Sequence, residues 1–552
     1  MKNLFLIGGI PNFNVSINQT ALMKTITVSI VALLLVTTAN CQPENVIDVL
    51  HYRFQIELSD ASDNITARAE LKIQFLKSTN QVAFDLGSVE GGKGMTVLSV
   101  MENNKVIDVI HKENQLTLQL TENRTTGDTA TYVINYRGVP ADGLIISRNK
   151  FGHRTFFADN WPNRAHNWIP CHDDPADKAS VEFIVTAPQH YQVVANGLQV
   201  EETNVTSDMK LTHWKEETPV SPKIMAIGVA DFAVSLAGFV DCIPVYSWVF
   251  PEERNEGFFD YAQATEILPF FISRVGPYGY KKLANVESRT IFGGLENANT
   301  IFYAEKSITG TRSDEDLMAH EIAHQWFGDM ATEKSFAHIW LSEGFATYFS
   351  LLYFENKYGT DTLKQLMKKD REETIAYSKE SDHPVVDEIT TDYMQLLNAN
   401  SYQKGGWILH MLRRQLGDTL FWKGIREYYA VYAGKIADTD DLRKIFEKVS
   451  GRSLQTFFKQ WLYTPGQPEI GISWKSGADK KLLVTVTQLQ QTPFTFPLEI
   501  GLTTKSGKIK MEKLDIVRKE QTFTLSVPEK ISAIIADPGT NLLFELKFSS
   551  GK

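Results

Sequence analysis

The sequence predicts a multidomain α+β protein with an N-terminal all-β domain, a mainly helical middle domain and a C-terminal β-sandwich. Three observations carry that reading. Short segments alternating with period two run from about Val46 to Phe239, helical periodicity replaces them from about Asp241, and alternation returns after the breaker cluster Thr464-Pro465-Gly466-Gln467-Pro468. The domain bounds that follow are 45–240, 241–466 and 467–550, with residues 1–40 read as a leader. At 552 residues, 43% hydrophobic and 11% aromatic, the chain can bury cores of this size and lacks the composition of a disordered protein.

The elements can be taken in order. Lys24 precedes a mostly apolar run from Ile26 to Val36, followed by Thr37-Thr38-Ala39-Asn40-Cys41, the layout of a secretory signal. Such a run is too short to cross a bilayer, which needs ~20 residues. Because the pattern begins at Met23, residues 1–22 read as an upstream extension from a misassigned start. An exported location, periplasmic or extracellular, is expected. Cleavage after Ala39 into a soluble product is favoured over lipid attachment at Cys41, since Asn40 is a poor small residue for a lipoprotein site. No other apolar run approaches membrane length, so no transmembrane span is expected.

In the β region, Arg53-Phe54-Gln55-Ile56-Glu57-Leu58 and Glu70-Leu71-Lys72-Ile73-Gln74-Phe75 alternate strictly, with turn residues 60–64 between them. Helices are expected over Glu315 to Phe327, Leu341 to Tyr358, Tyr402 to Leu416 and Thr439 to Val449. The charge-rich stretch from Asp370 to Asp392 reads as a solvated helix end and loop. After the breakers, Leu482, Val484 and Val486 alternate again. A balance of 56 Lys+Arg against 66 Asp+Glu, net −10, argues against a nucleic-acid partner. None of the three cysteines forms a CxxC pair. Cys171 and Cys242 read equally as one disulfide or as two buried free thiols.

His320-Glu321-Ile322-Ala323-His324 is an HExxH pattern. Residues i and i+4 share one helix face, so both imidazoles reach one ion while Glu321 stands beside the water it would bind. Ser313 and Asp316 resemble a capping box opening this helix. A catalytic zinc takes three protein ligands and an open fourth position. Glu343, which follows His324 after 18 intervening residues on a second helical segment, fits as the third.

With Trp340-Leu341-Ser342-Glu343-Gly344-Phe345-Ala346, this spacing resembles peptidase family M1, the zinc aminopeptidases that include aminopeptidase N and the leukotriene hydrolase. Gly293-Gly294-Leu295-Glu296-Asn297 is similar to that family's GxMEN motif, and its Glu296 stands 24 positions before His320. Tyr402-Gln403-Lys404-Gly405 resembles its YxKG motif. The segment from Pro170 to Ala179 resembles its first-domain signature, and Trp461 to Gly466 the end of its catalytic domain.

The resemblance implies a thermolysin-like catalytic domain, one Zn2+ held by His320, His324 and Glu343, and Glu321 as general base. It implies Tyr402 as the donor to the oxyanion, Glu296 as the carboxylate that binds the free α-ammonium of a peptide substrate, and Asn297 beside it. Gly293 and Gly294, lacking side chains, are expected to let an extended substrate approach the backbone. Without the resemblance, Tyr402 reads as a core residue and the glycine segment as a turn.

Two departures stand out. Asn160 to His166 contains neither the Gln nor the Glu with which family members commonly contact the substrate amine. The chain also continues only about 85 residues past Pro468, where many relatives carry a large helical domain, so a more open cleft accepting a wider range of peptide lengths is expected. The reading is a zinc aminopeptidase. An endopeptidase using the same chemistry and a catalytically silent peptide-binding protein are the alternatives, distinguished by Glu296 and by the retention of Glu321 and Tyr402. Oligomeric state and the preferred N-terminal residue are not legible in the sequence.

Overall fold

A computed structural model of the chain describes residues 45–551; the leader and Cys41 lie outside them. The strand Ile47–Glu57 pairs antiparallel with Ile65–Phe75 and parallel with Ala179–Pro188, at the centre of an eight-stranded sheet. The alternation seen in the sequence is the burial pattern of this sheet. Phe54, Ile56 and Leu58 point into the core, with Arg53, Gln55 and Glu57 on the opposite face. A register shift between Val49 and His51 admits one extra residue without turning the apolar face outward. A four-stranded and a three-stranded sheet complete this β-rich part.

The strand Ala233–Val240 belongs to a different, five-stranded sheet, hydrogen-bonded to Ile243–Val249. The middle strands Ile243–Val249, Leu283–Ser288 and Thr300–Ala304 are parallel. Gly294–Leu295 closes the row as a short antiparallel edge beside Thr300–Ala304. Helices follow over Glu315–His324, Trp340–Tyr358, Thr360–Tyr377, Gly405–Leu416, Asp418–Tyr432, Thr439–Ser450 and Gln455–Tyr463. The helix Thr439–Ser450 opens with a capping box between Asp438 and Asp441 and stops at Gly451 in the left-handed region. No helix among the described residues is long and apolar enough to cross a membrane.

After Tyr463 the breaker cluster ends the helices, and a four-stranded and a three-stranded sheet make up the C-terminal part. Leu482, Val484 and Val486 are buried from one sheet, and Leu498, Ile500 and Leu502 from the other. The molecule is therefore mixed α+β, with a β-rich N-terminal part, a helical middle and C-terminal strands.

Three details differ from expectation. Ser313 and Asp316 form no capping box. The helix starts one residue later than that motif needs, at Glu315, and the Ser313 hydroxyl bonds the Asp314 carboxylate instead. Both cysteines are free, but only Cys171 is buried, since Cys242 sits in an exposed hairpin turn. The stretch from Asp370 is not simply solvated. Arg371 lies against the rings of Trp407 and Phe544, 4.9 Å from each, and donates to Asp537 and to the Leu542 carbonyl.

Candidate metal centre

Helix Glu315–His324 packs against helix Trp340–Tyr358, which packs in turn on Gly405–Leu416. The first presents His320 and His324 one turn apart, and the second presents Glu343 in its first turn. Among the described residues, these three form the group whose metal-ligating atoms all lie within 4.8 Å of one another. His320 Nε2 and His324 Nε2 are 3.0 Å apart, and Glu343 Oε2 lies 3.4 and 3.2 Å from them. Donors around a tetrahedral ion at bond lengths of ~2.0–2.1 Å would stand about 3.3 Å from each other, so the set fits a zinc-sized cation. Glu343 Oε2 is buried and has no hydrogen-bond partner, which such a cation would supply.

The residues behind the donors hold them in place. His324 Nδ1 faces the Phe327 carbonyl at 3.1 Å and the Ser342 hydroxyl at 3.0 Å, so Nδ1–H donates and Nε2 is left bare for a metal. Gly328, at φ +112°, makes this packing feasible, because a Cβ there would stand 2.1 Å from Ser342 Oγ.

Glu321, Glu296, Tyr402 and Gly293 line the same cleft, of about 670 Å³, as the three ligands. Burial pushes the Glu321 carboxyl well above the usual carboxylate range; His324 draws it down, and the carboxylates of Glu296 and Glu343 push it further up. The Glu321 side chain rests against Gly294, where a Cβ would come within 2.2 Å of Glu321 Oε1. Gly294 thus makes room for Glu321, and Gly293 is the glycine that faces open space.

Glu296 follows the edge strand and is 5% exposed, with Oε1 unpaired. Gln325, next to His324, fixes it relative to the ligands. The Gln325 amide donates to the Glu296 carbonyl and to Asp329, and its oxygen accepts from the Asn299 amide. Asn297 is fully buried with both side-chain amide atoms unpaired, so it does not share the open cleft wall with Glu296. Tyr402 sits in a turn of π-helix, Asn400–Lys404, and stacks on His320 with ring centres 5.9 Å apart. Burial raises its phenol well above the usual value, and Glu343, Glu296 and Glu321 add to that, so it remains a proton donor.

Several lining residues carry no sequence signal. Trp161 stands edge-on to Phe292 and Phe336 and forms one wall. Asn160 beside it is spent on the carbonyls of Pro222 and Met225 and on the Trp168 N–H. Arg312 and Asp370 also reach the cleft. Their placement depends on contacts between distant segments, which periodicity does not encode.

Comparison with known proteins agrees with this geometry. The Peptidase M1 N-terminal domain model matches residues 49–222 and the Peptidase family M1 domain model matches residues 259–461. The chain is 27% identical over 448 residues to probable aminopeptidase 2 of Sulfurisphaera tokodaii, covering 76% of this chain and 54% of that protein. It is 27% identical over 384 residues to tricorn protease-interacting factor F2 of Thermoplasma acidophilum, covering 66% and 48%. To human endoplasmic reticulum aminopeptidase 2 it is 24% identical over 413 residues, covering 71% and 42%. The chain spans about half the length of the curated relatives it matches. With both domain models matched in order, and the two histidines and the glutamate brought together inside the second, the chain belongs to peptidase family M1.

Proposed function

We propose that this protein is a zinc aminopeptidase that removes N-terminal residues from peptides. The observation that carries the reading is one cleft holding a His320/His324/Glu343 donor set, the carboxyl of Glu321 and the unpaired carboxylate of Glu296. His320, His324 and Glu343 would hold the ion, which supplies a Lewis acid and lowers the pKa of a water to near ~7.

The chain's own residues do the rest. Glu321 takes the proton of the attacking water and returns it to the leaving amine. Tyr402 O–H donates to the oxyanion that forms as the carbonyl becomes tetrahedral. Glu296 binds the substrate ammonium and closes the cleft to a continuing chain, which selects free N-termini. Gly294–Leu295, the edge of its sheet, offers backbone groups to an extended peptide. We further assign a thermolysin-like catalytic domain, a C-terminal β-sandwich and an exported location, the last on the signal-like leader.

The test is hydrolysis of aminoacyl fluorogenic amides beside their N-acetyl counterparts, with wild type, Glu321→Gln and chelator-treated protein. Turnover of the free-amine series alone, lost in both controls, is expected. Equal cleavage of the acetylated series would overturn the assignment of Glu296.

A further inference from the structure

Glu296 marks one end of the cleft, and the direction away from it can be read from its neighbours. The chain runs back from Glu296 through Leu295 and Gly294 to Gly293, where a Cβ would find Leu317 Cδ1 nearest, at 3.9 Å. Leu317 lies one helical turn before His320, so a peptide anchored at Glu296 passes the ligands toward the N-terminal end of that helix. Arg312 lines the cleft at this end.

Arg312 is held unusually firmly for a loop residue. Its φ of +58° is in the left-handed region that side-chain-bearing residues rarely adopt. Asp260, 2% exposed, maintains it by accepting from the backbone amides of Thr309, Gly310 and Arg312. The guanidinium lies 4.5 Å over the Phe259 ring, Nε donates to the Phe259 carbonyl, and Nη1 donates to Glu266 at 2.8 Å. Among the described residues no acceptor is placed on Nη2, and 31% of the side chain is exposed. Glu266 is shared with Lys357, and the neighbouring Glu315 is already held by Tyr353, Tyr358 and Lys357.

We propose that Arg312 forms a carboxylate-binding subsite on the leaving-group side of the scissile bond. A fixed guanidinium with a free edge matches a planar carboxylate. The helix rises ~1.5 Å per residue, about 7.5 Å from Glu315 to His320, which an extended peptide at ~3.3–3.6 Å per residue covers in about two residues; Arg312 stands just before the helix, so the carboxylate belongs about two to three residues beyond the scissile bond. It is either the C-terminus of a short peptide or an acidic side chain of a longer one. This inference rests on the aminopeptidase reading.

The test uses the metal-loaded full chain on alanine peptides of two to six residues, each as free acid and as C-terminal amide, with alanine anilide as a reference lacking any carboxylate. The ratio of kcat/KM for acid over amide should peak at the tri- to tetrapeptide at roughly tenfold or more. Arg312→Gln should bring that ratio to about one, mainly through KM, and Glu266→Gln, which frees the guanidinium, should raise it. An amidated tetrapeptide ending in Glu distinguishes the sources: recovery of the free-acid rate assigns the subsite to either carboxylate, and no recovery assigns it to the α-carboxylate. A flat ratio in wild type that still cleaves the anilide overturns the subsite and leaves the aminopeptidase reading standing. If the anilide is not cleaved, the aminopeptidase reading fails and the subsite with it. Should Arg312→Gln not fold, an unchanged ratio in Glu266→Gln overturns the inference.

Discussion

Tyr402 and Lys404 stand two residues apart in the π-helical turn, and burial acts on them in opposite directions. It raises the phenol and lowers the ammonium, to about 7, because in each case the neutral form is favoured away from water. For Tyr402 this preserves an O–H donor in the cleft, as the proposed function requires. Tyr402→Phe should lower kcat by about 10²–10³ with KM little changed, as loss of one oxyanion donor does in other hydrolases; steady-state kinetics on an aminoacyl anilide checks it. For Lys404 the consequence is for stability. The residue is 1% exposed, and among the described residues its ammonium donates only to the Thr464 carbonyl, at 3.4 Å. Unfolded, it would bind its proton up to ~10.4. Between there and about 7 the unfolded state holds the extra proton, so stability rises with pH by up to ~1.4 kcal/mol per unit. The penalty is absent above that window and constant below it. Lys404→Met should therefore stabilise the fold most at and below pH 7, with the gain shrinking as pH rises; urea melts at pH 6.5 and 9.5 measure the difference.

At the scale of elements, the geometry of the cleft depends on two helices touching through glycine. A Cβ on Gly344 would stand 2.8 Å from Gly405 Cα, and one on Gly405 would stand 2.9 Å from Gly344 Cα. Glu343 precedes the first glycine and Tyr402 lies three residues before the second, so this contact sets the distance between Glu343 and Tyr402. Gly405→Ala should cost about 1–3 kcal/mol by overpacking and also lower kcat, because the turn bearing Tyr402 is pushed off the helix. Thermal unfolding and kinetics on the same preparation check both effects. The helix separation also explains why Gly follows both Glu343 and Lys404, although each glycine weakens its own helix.

At the scale of the molecule, charges buried between segments hold the β-rich part against the metal centre. Lys223, in the turn Pro222–Ile224, pairs with Glu333 at 2.5 Å, with both side chains essentially inaccessible. Lys178 donates to the carbonyls of Asp329 and Met330 and to Thr332. Ala298 donates its amide to the Ile224 carbonyl, so the same turn touches the segment bearing Glu296. Removing one partner strands the other without water, so Lys223→Met should destabilise by about 3–5 kcal/mol. Lys223→Met combined with Glu333→Leu should recover most of that loss. A double-mutant cycle by denaturant unfolding measures the coupling.

The sequence by itself determined what depends on local geometry. Phe54, Ile56 and Leu58 alternate because successive strand residues face opposite sides, and His320 and His324 share a face because a helix turns in 3.6 residues. The end of the helical part ahead of the breaker cluster that begins at Thr464 was legible for the same reason. Only the tertiary structure decided what rests on contacts between segments far apart in the chain. It put the Glu321 side chain against Gly294, buried both amide atoms of Asn297, placed Arg371 against two rings and exposed Cys242. It also brought Arg312 and Trp161 to one cleft with His320, His324 and Glu343. Periodicity specifies which face a residue occupies, whereas its neighbours on that face are chosen by the packing of the whole core.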